Sequence, residues 1–190
     1  MTVYEHTQQF HVKDPFSALT HFIGFILSIA ALAVLLVKGG ADKMPLTNLI
    51  GVSVFAISSI LLYGASTTYH TFDVRQPFEK ALKKVDHLSI FVLIAGTYTP
   101  YALLALDQKT GMFLLAEVWG IALLGIIFKL FWVTCPKWVS SVIYIAMGWV
   151  CLTVFPQLVS GLSSGAFLWT LAGGIMYTVG GVLYSVPCRK

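Results

Sequence analysis

The sequence predicts an all-α integral membrane protein: a bundle of six transmembrane helices with its amino terminus in the cytoplasm. Three observations predict it. Of the 190 residues, 57% are hydrophobic and only 11% are charged, whereas soluble domains carry roughly 25% charge. Six stretches approach the ~20 apolar residues that cross a bilayer. The Lys and Arg residues between these stretches fall unevenly on the two sides, as cytoplasmic loops require.

The six stretches lie at about 17–37, 46–70, 85–106, 111–131, 138–158 and 164–185. Residues 1–16 form a polar cytoplasmic tail, and 17–190 form one transmembrane domain. The tail contains Glu5 and Asp14, and the apolar segment after it exceeds the roughly 7–15 residues of a signal-peptide core. The first segment is therefore expected to stay as an anchor. Gly39-Gly40 with Pro45 separates the first pair of stretches, and Arg75-Gln76-Pro77 opens the longest connection, 71–84. Asp107 to Thr110 makes a tight turn. Pro136 separates the fourth and fifth stretches, and Gly161 the fifth and sixth.

One side collects Lys13, Arg75, Lys80, Lys83, Lys84, Lys129, Lys137, Arg189 and Lys190. The other collects Lys38, Lys43 and Lys109. The richer side is the cytoplasmic one, with Trp132 and Trp138 flanking one of its loops as interfacial anchors. The net charge of +4 is scattered between apolar stretches and makes no basic run or basic helix face, so nucleic acid is not an expected partner. Cys135, Cys151 and Cys188 form no CxxC and read as free thiols.

This topology sets depth. His70 ends the second stretch, Asp86 begins the third, and His21 lies about a turn into the first, all at the cytoplasmic level. Ser66 and His70, four apart, share one helical face, which extends back through Tyr63 and Ser59. Such a stripe must face protein or water, because lipid offers it no partners. Imidazole is a common zinc ligand, and a carboxylate beside it orients the ligand or its bound water. The bland alternatives stay open. His70 can be an interfacial histidine with Ser66 bonded to its own backbone, and Asp86 can cap its helix N-terminus. His21 is either a ligand or a packing histidine, and His87 is most simply interfacial. His6 and His11 lie in the tail. Glu117, in the fourth stretch, is expected to bond a neighbouring helix or reach the interface, or else to relay protons. Gly173, Gly174, Gly180 and Gly181 suit close helix packing.

The segments Ser66-Thr67-Thr68-Tyr69-His70-Thr71-Phe72, Val85-Asp86-His87-Leu88-Ser89-Ile90 and Ala95-Gly96-Thr97-Tyr98-Thr99-Pro100-Tyr101 resemble the haemolysin III group of bacterial membrane proteins. So does the opening Asp14-Pro15-Phe16-Ser17-Ala18-Leu19-Thr20-His21. That group is related to the progestin and adiponectin receptors and to the alkaline ceramidases. The resemblance implies a seven-helix, receptor-like fold in the bacterial plasma membrane with zinc near its cytoplasmic face. It implies His70 and Asp86 as metal-site residues, and Ser66 with Asp86 as the catalytic pair of an amide or ester hydrolase of membrane lipids.

The sequence departs from that pattern. The resemblance implies a further His-x-x-x-His pair on a seventh helix, but all five histidines occur by position 87. The zinc site is therefore expected to be incomplete, in a chain truncated before its last helix, in a natural six-helix variant, or in one completed by a partner chain. Membrane lipid and self-association are the expected interactions. Two other functions stand beside the hydrolase: membrane permeabilisation as a haemolysin, and non-catalytic lipid sensing or membrane homeostasis.

Overall fold

The computed structural model describes residues 11–186. Glu5, His6, Cys188, Arg189 and Lys190, which entered the sequence analysis, lie outside the described residues. Among the described residues the regular structure is helical, apart from one isolated β-bridge between Val12 and Phe72.

Helix α1 (Pro15–Ala41) begins with proline in its first turn, where a missing N–H costs nothing. It ends at the Gly39-Gly40 pair, and α2 (Leu46–Thr71) follows Pro45. Helix α3 spans Phe78–Leu104 and α4 spans Gln108–Phe131. The Asp107 carboxylate caps α4 by accepting from the Lys109 and Thr110 amides at 3.0 and 3.1 Å. The bonds from Thr110 hold the Asp107 carboxyl below the usual carboxylate range. The fifth span comprises α5 (Lys137–Gly148), a 3₁₀ stretch (Val150–Val154) and α6 (Phe155–Gly161). Helix α7 (Ser164–Ser185) is capped by Ser163 Oγ, which accepts from the Ala166 amide at 3.3 Å. Six segments are long and apolar enough to cross a membrane, so the six-span all-α expectation holds.

Two boundaries differ from the sequence expectation. The connection after α2 is shorter, because α3 starts at Phe78 rather than near 85. Its first turns, Phe-Glu-Lys-Ala-Leu-Lys-Lys, are made of good helix formers too charged to register as a span. The fifth span is not one helix. Pro156, in the first turn of α6, has no N–H and crowds the carbonyl four residues earlier, which favours a break just before it. Tyr98 bridges the break. Its hydroxyl donates to the Gly148 carbonyl and accepts from the Cys151 amide at 3.1 Å. Backbone groups freed within a membrane require such internal partners.

Helix α3 is the axis. It packs against α2 on one side and α4 on the other, while α1 rests on α2 and α7 on α5. Phe91, Ala95, Tyr98 and Ala102 of α3 meet Leu114, Val118 and Ala122 of α4 and Met147 of α5 in the core. Glycine permits the closest approach. A Cβ on Gly111 would lie 2.2 Å from the Ala102 carbonyl oxygen, and one on Gly125 2.2 Å from the Phe91 ring. On α7, Gly181 meets Ile145, whereas a Cβ on Gly173, Gly174 or Gly180 would meet nothing within 4 Å. Only part of the expected close packing of that glycine set is therefore used within the chain. The exposed Leu, Ile, Val and Phe side chains of α1 and α7 suit a lipid surface.

Candidate functional site

Helix alternation brings the start of α1, the end of α2 and the start of α3 to one end of the bundle. Ser66 and Asp86 are buried there, and His21 and His70 are half-buried. Asp86 lies beyond the second turn of α3, which begins at Phe78, so it does not cap that helix. Its carboxylate has the Ser66 hydroxyl and the His70 and His21 rings as electrostatic neighbours. The four side chains expected to converge therefore do so.

Their pairing was not legible in the spacing. Ser66 Oγ hydrogen-bonds His21 Nδ1 at 2.6 Å, across from α2 to α1. His70 Nδ1 instead donates to Asp14 Oδ2 at 2.9 Å, and the Asp14 amide donates to the His70 carbonyl at 2.9 Å. The His21 and His70 rings stand edge-on with centroids 5.6 Å apart. Asp14 is a site residue that sequence reasoning missed. It belongs to the short strap that precedes α1. In this strap Val12 bridges Phe72, and the Lys13 amide donates to the Thr71 carbonyl at 3.3 Å. The Lys13 ammonium meets Glu79 Oε1 at 2.7 Å and lies 4.0 Å from the centre of the Tyr69 ring. Burial pulls the Lys13 pKa down, but the bonds to Glu79 and Tyr69 outweigh it and hold the group above the ordinary lysine range. Residues 12–14, expected as part of the polar tail, are thus pinned to the end of α2.

The resemblance implies zinc here. The donor chemistry suits it, since Asp14 fixes the His70 ring through Nδ1 and leaves Nε2 as the donor atom. The donor number does not. Among the described residues no three His, Cys, Asp or Glu side chains are grouped to hold a metal ion, and zinc takes three or four protein ligands. A complete zinc centre does not fit the described residues.

A second polar cluster lies across α3. Lys129, expected to be a loop charge, is fully buried in the last turn of α4. Its ammonium donates to Ser140 Oγ at 2.6 Å and to Cys135 Sγ at 3.1 Å. The carbonyl end of α4 adds a favourable dipole. The ring of His87, one residue after Asp86, turns toward this side and has Lys129 as an electrostatic neighbour. Its Nδ1 is buried. Tyr144 donates to the His87 carbonyl at 3.2 Å. Glu117 bonds a neighbouring segment, as expected, by accepting from Thr153 Oγ1 at 3.0 Å.

The family model described as haemolysin-III related matches residues 9–189. The Hemolysin-3 homolog of Bacillus subtilis (strain 168) is 38% identical over 176 residues, which cover 92% of this chain and 82% of that protein. The Hemolysin-3 of Bacillus cereus is 38% identical over 177 residues, 93% of this chain and 80% of that protein. No solved structure matches. With six membrane-length helices and a family match over almost its whole length, the chain belongs to the haemolysin III family of multi-pass membrane proteins.

Proposed function

We propose that the cluster of His21, Ser66, His70 and Asp86 is a hydrolase-type site for an amide or ester of a membrane lipid, at the cytoplasmic face of a bacterial plasma membrane. The observation that carries the reading is the convergence of these four groups from three helices at one end of the bundle. Ionisable groups inside membrane segments are costly and mark function. The strap adds support, because it fixes the His70 ring from outside the span.

His70 and Asp86 are the side chains that would form this chain's share of the zinc site implied by the resemblance. Zinc supplies Lewis-acid activation of water where it is bound. The described donors fall short of a full set, so no step here is routed through it. The test is release of fatty acid from lipid nanodiscs, alongside metal content and co-purified lipid. Product released by the wild type and lost in Asp86→Asn supports the site. Lipid bound without product favours sensing instead.

The names of the two relatives, Hemolysin-3 homolog and Hemolysin-3, favour a second reading, membrane permeabilisation. Dye leakage from liposomes that persists in Asp86→Asn supports it. Intact liposomes at high protein load contradict it.

A further inference from the structure

Glu117 lies inside a membrane span and takes no part in the site described above. It follows the start of α4 at Gln108 by about 14 Å of helix rise, so it sits nearer the opposite end of the bundle. Among the described residues its carboxylate forms no ion pair. An ionised carboxylate in a span needs a counter-charge, and lipid tails supply none. Its hydrogen-bond partner is Thr153, in the 3₁₀ stretch of the broken fifth span. Thr153 Oγ1 stands 3.0 Å from Glu117 Oε2 and 2.9 Å from the Val150 carbonyl oxygen. A hydroxyl carries one hydrogen, so it cannot serve both acceptors at once. Three oxygens therefore gather around a single hydrogen. The break itself adds to this. Helix α5 stops at Gly148 and α-geometry resumes at Phe155, so the carbonyl end of a half-helix falls within the span. That end is the negative pole of the helix dipole and favours a cation. In membrane transporters, unwound carbonyls and half-helix carbonyl ends coordinate small cations.

We propose that Glu117, Thr153 Oγ1 and the Val150 carbonyl are protein ligands of a monovalent alkali cation, bound at the break in the fifth span. Hard cations take oxygen donors of this kind. One carboxylate balances one positive charge, whereas a divalent ion would leave an uncompensated charge in an apolar medium. The Thr153 hydroxyl can offer a lone pair to the ion while its hydrogen stays on Glu117. The site shares no residue with the cluster on α1–α3 and stands whether or not that cluster hydrolyses lipid.

Two measurements on the full chain in nanodiscs test the site, each comparing NaCl and KCl with choline chloride at equal ionic strength. In the first, dicyclohexylcarbodiimide labels carboxyl groups inside the membrane, and modification of Glu117 is read by peptide mass spectrometry. The expected result is labelling in choline chloride that falls about tenfold once sodium or potassium reaches about ten times its dissociation constant. Thr153→Val keeps the side-chain shape and removes one oxygen, so the half-protecting concentration should rise about tenfold. In the second, the thermal midpoint of the wild type should rise with sodium or potassium relative to choline, and this rise should vanish in Glu117→Gln. The labelling arm needs only the wild type, so it stands even if Glu117→Gln fails to fold. Labelling that is equal in all three salts overturns the proposal, as does protection that Thr153→Val leaves unchanged. A midpoint that responds equally to choline, or a rise that persists in Glu117→Gln, also overturns it.

Discussion

Two polar clusters sit at the same end of this bundle, on opposite sides of α3, and they treat charge in a membrane differently. Around Lys129 the ammonium is fully buried and finds Ser140 and Cys135 within eleven residues of chain, on the α4–α5 hairpin. Around Ser66 the groups come from three helices and a strap, remain partly open, and pair titratable side chains with one another. The first arrangement closes a hairpin. The second links three helices and a strap through polar side chains far apart in the chain. A buried charge in a membrane protein thus marks function most strongly when local partners do not account for it.

The largest expected effect breaks the structural half of this comparison. Lys129→Ala empties a fully buried site and should cost about 2–5 kcal/mol, as large-to-small core changes do. Lys129→Met should stay within about 1 kcal/mol of wild type, because trading a buried charge for an apolar chain of similar size is often neutral or stabilising. Thermal unfolding in detergent reads both, and a Met variant as damaged as the Ala variant would show that the charge itself is needed. Next comes Ser140→Ala, which takes one of two partners from the Lys129 ammonium and should cost about 1–3 kcal/mol. It should leave lipid turnover unchanged. Asp14→Asn weakens a partly exposed pair, so stability should fall by under about 1 kcal/mol. Turnover should fall several-fold once the His70 ring is no longer held. Equal turnover would remove the strap from the site.

The smallest effect concerns Lys13. Its folded pKa is raised, so its contribution is complete below the ordinary lysine value and fades as pH rises through the raised one. Lys13→Met should cost about 0.5 kcal/mol at neutral pH, typical of an exposed pair. It should also flatten the alkaline part of the stability profile. Unfolding curves from neutral to alkaline pH check both.

Much of the fold was legible because hydropathy and loop charge act over whole segments. The ends of α2, α4 and α7 fall within a few residues of the sequence expectation. Alternation of helix direction then placed His21, Ser66, His70 and Asp86 at one level. What stayed hidden is short-range. Hydropathy counts Lys129 as a water-seeking charge, and nothing in its spacing says that Cys135 and Ser140 fold back beneath it. The pairing of Ser66 with His21 depends on how α1 rotates against α2. The strap depends on backbone pairing between residues 12–14 and 70–72, which no side-chain pattern encodes. Pro156 did carry the signal for the break in the fifth span, but the apolar run around it is continuous.

The two clusters are separated most directly by fatty-acid release from lipid nanodiscs, compared among the wild type, Ser66→Ala and Ser140→Ala. Release by the wild type and Ser140→Ala, with a loss of about a hundredfold or more in Ser66→Ala, is the expected result. Release that Ser66→Ala leaves untouched, or no release from the folded wild type, would contradict a hydrolytic site on α1–α3.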